Sequence, residues 1–188
     1  CLLASAYLGG FNSEKLHGQT NLDGGFVNNV PTNSLIKRGY DDLIQVRIYG
    51  PGRKPRVKPT ENTVIYEIAP SVKLGSIIEF DSKRSRHNMR VGYFDAKRML
   101  YGLIGRIYYI EQTREEWYYE KILEELSEIE KAEIAFILKL PLGYTDVELY
   151  LAMLEASAKL LHVPKYRIYK VQELEEAAAS RYKDLEDK

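Results

Sequence analysis

Apolar residues recur along this chain with two different periods. Leu43 to Ile48 (LIQVRI) and Val64 to Ile68 (VIYEI) are short runs rich in β-branched residues, the pattern of strands. Before the first run, Leu35 and Ile36 share one side of a short helix that Pro31 opens and Gly39 stops. Between the two runs, residues 50–62 (GPGRKPRVKPTEN) hold three prolines and two glycines, and are expected to form an exposed, irregular loop. After a basic cluster at Lys83 to Arg90, Val91, Phe94, Met99 and Leu100 suit an amphipathic helix over 91–101.

Beyond Ile110 the helical period takes over. Glu111 to Leu140 contains no glycine or proline, and Trp117, Tyr118, Ile122, Leu126, Ile129, Ala132 and Phe136 return every three or four residues, which predicts one continuous helix. Pro141, Gly143 and Thr145 break it, and further helices are predicted over 146–162 and 171–185. The pattern therefore predicts an α/β domain over residues 1–110, with helix and strand alternating, and a helical appendage over 111–188. Acidic residues along these helices are expected to form solvated faces.

The 188 residues suffice to bury a core, and no apolar run reaches the roughly 18 to 20 residues of a membrane-spanning helix. The start, CLLASAYLGGF, carries no basic leader and reads as the inside of a domain, so the chain is expected to begin mid-protein. One cysteine, Cys1, precludes an internal disulfide and fits a reducing cytoplasm. The formal net charge is zero, yet residues 1–110 hold 16 Lys and Arg against 9 Asp and Glu, and residues 111–188 hold 11 against 18. Such halves either dock and neutralise one another or leave a basic face for anionic partners.

The chemistry concentrates at Asn21-Leu22-Asp23-Gly24-Gly25. Two glycines after an aspartate permit positive φ and close backbone approach, holding Asp23 at the edge of a sharp turn. An Asp-Gly-Gly tripeptide alone is most often an ordinary turn. Here it stands in an ordered string: ASAYLGGF at Ala4 to Phe11, LDGGFVNNVP at Leu22 to Pro31, then the strand LIQVRI. That order resembles the patatin-like phospholipase family, in which an A-S-x-x-x-P-x-F helix end, a variable loop, a D-G-G/A turn followed by N-x-P, and a strand succeed one another. The likeness covers residues 1–105, and Gly9 stands where family members often carry proline.

The resemblance implies a three-layer α/β/α hydrolase of lipid or phospholipid esters that uses a serine–aspartate dyad and no cofactor. Asp23 would be the catalytic aspartate, with Gly24 and Gly25 supporting its turn and Asn28 and Asn29 structural. The G-x-S-x-G serine and the glycine-rich oxyanion loop are absent from the sequence, and in the family both precede the aspartate. The chain is thus expected to be the C-terminal part of such an enzyme, inactive alone.

Other chemistry is sparse. His17, His87 and His162 are isolated from one another, and no spacing of His, Cys, Asp and Glu suggests a metal site. The basic loops RKPRVK and KRSRHNMR could meet phospholipid headgroups at a membrane periphery, but lack the interleaved aromatics of a nucleic-acid platform. The 15 tyrosines suit the rim of a helix bundle or a lipid interface. Two alternatives stay open: a homo-oligomer hiding an uncovered sheet face, and a helical protein–protein interaction module without catalysis of its own.

Overall fold

The computed structural model describes residues 15, 18–49, 55–76, 79 and 81–186. Packing divides the chain into two compact units, residues 1–69 with 75–79 and residues 70–74 with 80–188. Helices and strands mix in both, and the strands form two small parallel sheets, so the chain is broadly α/β.

In the first unit, α1 (Gly25–Asn28) and α2 (Thr32–Ile36) precede β1 (Asp42–Val46), which pairs in parallel with β2 (Val64–Ile68). Gly39, at φ +87°, ends α2 as its sequence position predicts. Leu43 is buried on one face of this pair, and Thr32 Oγ1 donates to Gln45 Oε1 at 2.7 Å, tying α2 to β1. The stretch after β1 is irregular from residue 55, and Asn33 holds it. Its Nδ2 donates to Arg56 O at 2.9 Å, and its Oδ1 accepts from the Lys58 amide at 2.8 Å. Ile44, Val46, Val64 and Tyr66, which share the opposite face by the register of the pair, are all exposed.

The second unit departs from the sequence pattern in three places. First, α3 spans Ser82–Tyr101, so the basic cluster at 83–90 is helical, not a loop. Asp81 starts the helix by accepting from the Arg84 amide, and Gly102 ends it in the left-handed region at φ +61°. Second, the continuous helix predicted over 111–140 is two helices, α4 (Glu116–Leu123) and α5 (Glu128–Ile137). Ser127 begins α5 with a reciprocal capping box, its side chain meeting the Glu130 amide while Glu130 returns to the Ser127 amide. Hydrophobic period alone does not register such a cap. Third, β3 (Tyr109–Glu111) and β4 (Ile168–Lys170) form a short parallel pair where helix or loop was expected.

The remaining helices are α6 (Asp146–Leu160), opened by a second capping box between Thr145 and Glu148, and α7 (Val171–Glu186). The core gathers Tyr108, Ile110, Tyr119, Leu151, Val163, Tyr169, Val171 and Leu174, with a smaller cluster of Leu123, Ala135 and Leu149. Tyrosines thus occupy the interior of this unit as well as its rim. Two of their hydroxyls find carbonyl acceptors there, Tyr108 donating to Val163 O at 2.9 Å and Tyr169 to Pro164 O at 2.6 Å, whereas the buried Tyr119 hydroxyl has no hydrogen-bond partner among the described residues. Among the described residues, no helix is long and apolar enough to cross a membrane.

Candidate functional site

Asp23 lies half-buried immediately before α1. Its Oδ1 accepts from the Gly25 amide at 2.7 Å, the Phe26 amide donates to its carbonyl at 3.1 Å, and the Asn28 amide closes on Gly24 O at 2.9 Å. The aspartate side chain therefore closes an Asx-type turn that leads into the single turn of α1, whose N-cap is Gly24. Among the described residues, Oδ2 accepts no hydrogen bond. The side chains of Leu22 and Phe26 flank the turn and are exposed.

The two glycines act differently from the sequence expectation. Neither adopts positive φ, and Gly24 is right-handed at φ −57°, ψ −22°. What the turn asks of Gly25 is space: a Cβ there would stand 3.0 Å from Asp23 Oδ1 and 3.4 Å from Asn29 Oδ1, whereas one at Gly24 meets nothing within 4 Å. Close approach, not backbone handedness, is the reason for glycine at 25. Among the described residues, Asn28 Oδ1 is buried without a hydrogen-bond partner, an orphan acceptor close in sequence to the carboxylate.

Ala4 to Phe11, the other part of the resembling string, and His17 lie outside the described residues. His87 meets Tyr166, Nε2 to hydroxyl at 3.3 Å, in an edge-on ring contact. His162 follows α6 in the left-handed region at φ +55°. Among the described residues, no three His, Cys, Asp or Glu side chains stand together as a metal would require.

Two buried acids in the second unit overturn the expectation that helix carboxylates are solvated. Glu155 is 1% exposed, and its Oε1 accepts from the amides of Ile107 at 2.8 Å and Tyr108 at 2.6 Å while Oε2 accepts from Arg106 at 2.9 Å. Asp95 is 5% exposed, taking the Ser71 amide on Oδ2 at 2.7 Å and the Tyr109 hydroxyl and Arg98 on Oδ1 at 3.0 and 3.2 Å. Both charges are satisfied by donors the fold brings to them. A signal was available: Leu151, Glu155 and Ala158 fall on one helical stripe, so an acid interrupts an apolar face.

A third acid, Glu175, collects hydroxyls from Tyr150 at 2.5 Å and Tyr118 at 3.2 Å. Burial, then the hydrogen bond to Glu175, raises the Tyr150 hydroxyl well above the ordinary tyrosine range. Burial likewise pushes Tyr108 and Tyr109 up to about 12. These tyrosines stay protonated donors at neutral pH, which makes them braces for the carboxylates and carbonyls they touch. Set against known protein families, curated proteins and solved structures, the chain finds no match.

Proposed function

We propose that this chain contributes the aspartate of a serine–aspartate dyad to a patatin-like lipid acyl hydrolase, acting on phospholipid or other acyl esters without a cofactor. The observation that carries the reading is the state of Asp23. One carboxylate oxygen is anchored on the Gly25 amide at 2.7 Å, and the other accepts nothing among the described residues. An anchored carboxylate with one open oxygen suits a general base, because the acceptor for a serine proton must be positioned before the proton moves. The serine would come from a segment outside this sequence. Its Oγ attacks the ester carbonyl as its proton passes to Asp23, the alcohol leaves with a proton, and water then releases the acyl group.

The three-layer α/β/α arrangement belongs to the same proposal. Parallel sheets are normally covered on both faces, and the exposed Ile44, Val46, Val64 and Tyr66 suit a further covering layer. The basic residues of 53–58 and 83–90 offer a peripheral contact with anionic headgroups on the cytoplasmic side of a membrane.

Hydrolysis of a p-nitrophenyl ester tests the reading, with this chain and the longest natural polypeptide containing it assayed side by side. Activity is expected in the longer protein alone, and Asp23→Asn there should lower it about 100-fold or more. Activity in the 188-residue chain, or a fully active Asp23→Asn protein, would sink the dyad.

A second reading, the helical interaction module, is favoured by α5, whose Ile129, Phe136 and Ile137 are 73, 84 and 72% exposed. A second copy of the chain is the occupant to test. A concentration-dependent solution mass abolished by Phe136→Asp supports this reading, and a strict monomer removes it.

A further inference from the structure

We propose that the second unit carries a phosphate-binding pocket between the 71–72 segment, the loop 106–108 and the segment following α6. A cavity of about 480 Å³ lies there, and Arg106, Lys159, His162 and Lys165 line it together with Ser71 and Val72. Its size lies within the range of small-molecule sites and admits a phosphate with an organic remainder. The inference does not depend on the hydrolase reading, since it uses none of the residues around Asp23.

The charge of the pocket points to the ligand. Among the described residues, Arg106, Lys159, His162 and Lys165 form no ion pair, and the Arg106 guanidinium makes one neutral contact, Nη1 donating to Lys139 O at 3.2 Å. The two carboxylates acting on Lys165, Asp95 and Glu155, are already occupied, the first by Ser71, Tyr109 and Arg98, the second by three backbone amides. Arg106, Lys159 and Lys165 line the cavity, and of the charges beyond it Arg98 is paired with Asp95, so three cations stand against Glu155, a surplus of two positive charges. A phosphate monoester carries about −1.5 to −2 at neutral pH, which matches that surplus.

Lys165 feels the imbalance. Burial first, then repulsion from Arg98 and Lys159, lowers its pKa against the opposing pull of the two carboxylates. A bound anion would offset the repulsion. The negative end of the α6 dipole gives a plain reason for Lys159 and His162 at the end of that helix. It gives none for Arg106 or Lys165, which reach the same cavity from other segments.

The test is an amide-resolved NMR titration of the whole chain with inorganic phosphate, against sodium chloride at matched ionic strength. Saturable shifts are expected at residues 106–108 and at His162, Val163 and Lys165, with Lys165→Gln and Lys159→Gln each weakening binding about tenfold, as loss of one charge-assisted hydrogen bond would. Lys139→Gln, outside the pocket, should bind as the parent does. Lys159 is exposed, so its variant remains informative even if Lys165→Gln disturbs folding. Glycerol 1-phosphate and vesicles of phosphatidic acid in phosphatidylcholine separate the two sources of the group. Vesicle binding that inorganic phosphate competes away assigns a lipid headgroup, and phosphate binding without vesicle binding assigns a soluble ester. Shifts that do not saturate, or saturable binding indifferent to both lysine substitutions, would overturn the site.

Discussion

Glu155 Oε1 accepts the Tyr108 amide at 2.6 Å across 47 residues of sequence, joining α6 to the loop that leads into β3. With the Ile107 and Arg106 amides on the same carboxylate, the loop is wrapped around a single buried side chain. Glu155→Gln places an NH₂ among these donors and is expected to cost about 1 to 3 kcal/mol in urea unfolding. Gly105→Ala should cost about 2 kcal/mol or more, because φ +89° disfavours any side chain and its Cβ would stand 2.6 Å from Glu155 Oε1. Wild-type stability in both variants would mean that the loop does not depend on the carboxylate.

The second unit should unfold in alkali before any arginine titrates. Tyr108 and Tyr109 are pushed up to about 12 in the folded chain, above the ordinary unfolded value of about 10. Groups with a raised folded pKa contribute stability that is complete below the unfolded pKa and lost as pH climbs to the folded one. Stability should therefore fall between about pH 10 and 12, followed by circular dichroism, with tyrosinate absorbance at 295 nm rising along with unfolding. Full tyrosinate absorbance in a still folded protein contradicts the buried positions.

Ser127→Ala removes the side-chain acceptor that starts α5 and is expected to destabilise the protein by about 1 kcal/mol in denaturant titration, with Thr145→Ala costing α6 a similar amount. A neutral Ser127→Ala would indicate that α4 and α5 are separated by packing rather than by the cap.

At Asp23, folding and chemistry separate. Asparagine keeps an Oδ1 acceptor for the Gly25 amide, so Asp23→Asn should change thermal stability little, whereas Asp23→Ala should cost about 1 kcal/mol. A large loss of stability in Asp23→Asn would assign the carboxylate charge a structural role.

The elements legible beforehand are those specified within a few neighbouring residues. The β-branched run of β2, the Gly39 stop after α2, and the extents of α6 and α7 follow from local period and cap chemistry. So does the turn at Asp23, since an aspartate two residues before a glycine amide is a local hydrogen-bonding unit. The break between α4 and α5 was readable too, as Ser127 followed three residues later by Glu130, but the unbroken apolar period concealed it.

What sequence alone settled is the set of helices, strands and turns whose periods and caps are short-range, and the position of its one Asp-Gly-Gly turn. Tertiary structure decided the rest. Tyr109 to Glu111 becomes a strand only because Ile168 to Lys170 lies beside it, and three-residue segments have no periodicity of their own. Glu155 and Asp95 become buried only because distant backbone amides and a tyrosine hydroxyl satisfy them. The cationic pocket likewise draws Ser71, Arg106, Lys159 and Lys165 from three separated segments. Such contacts depend on chain closure across dozens of residues, and no local pattern encodes which distant donor will arrive.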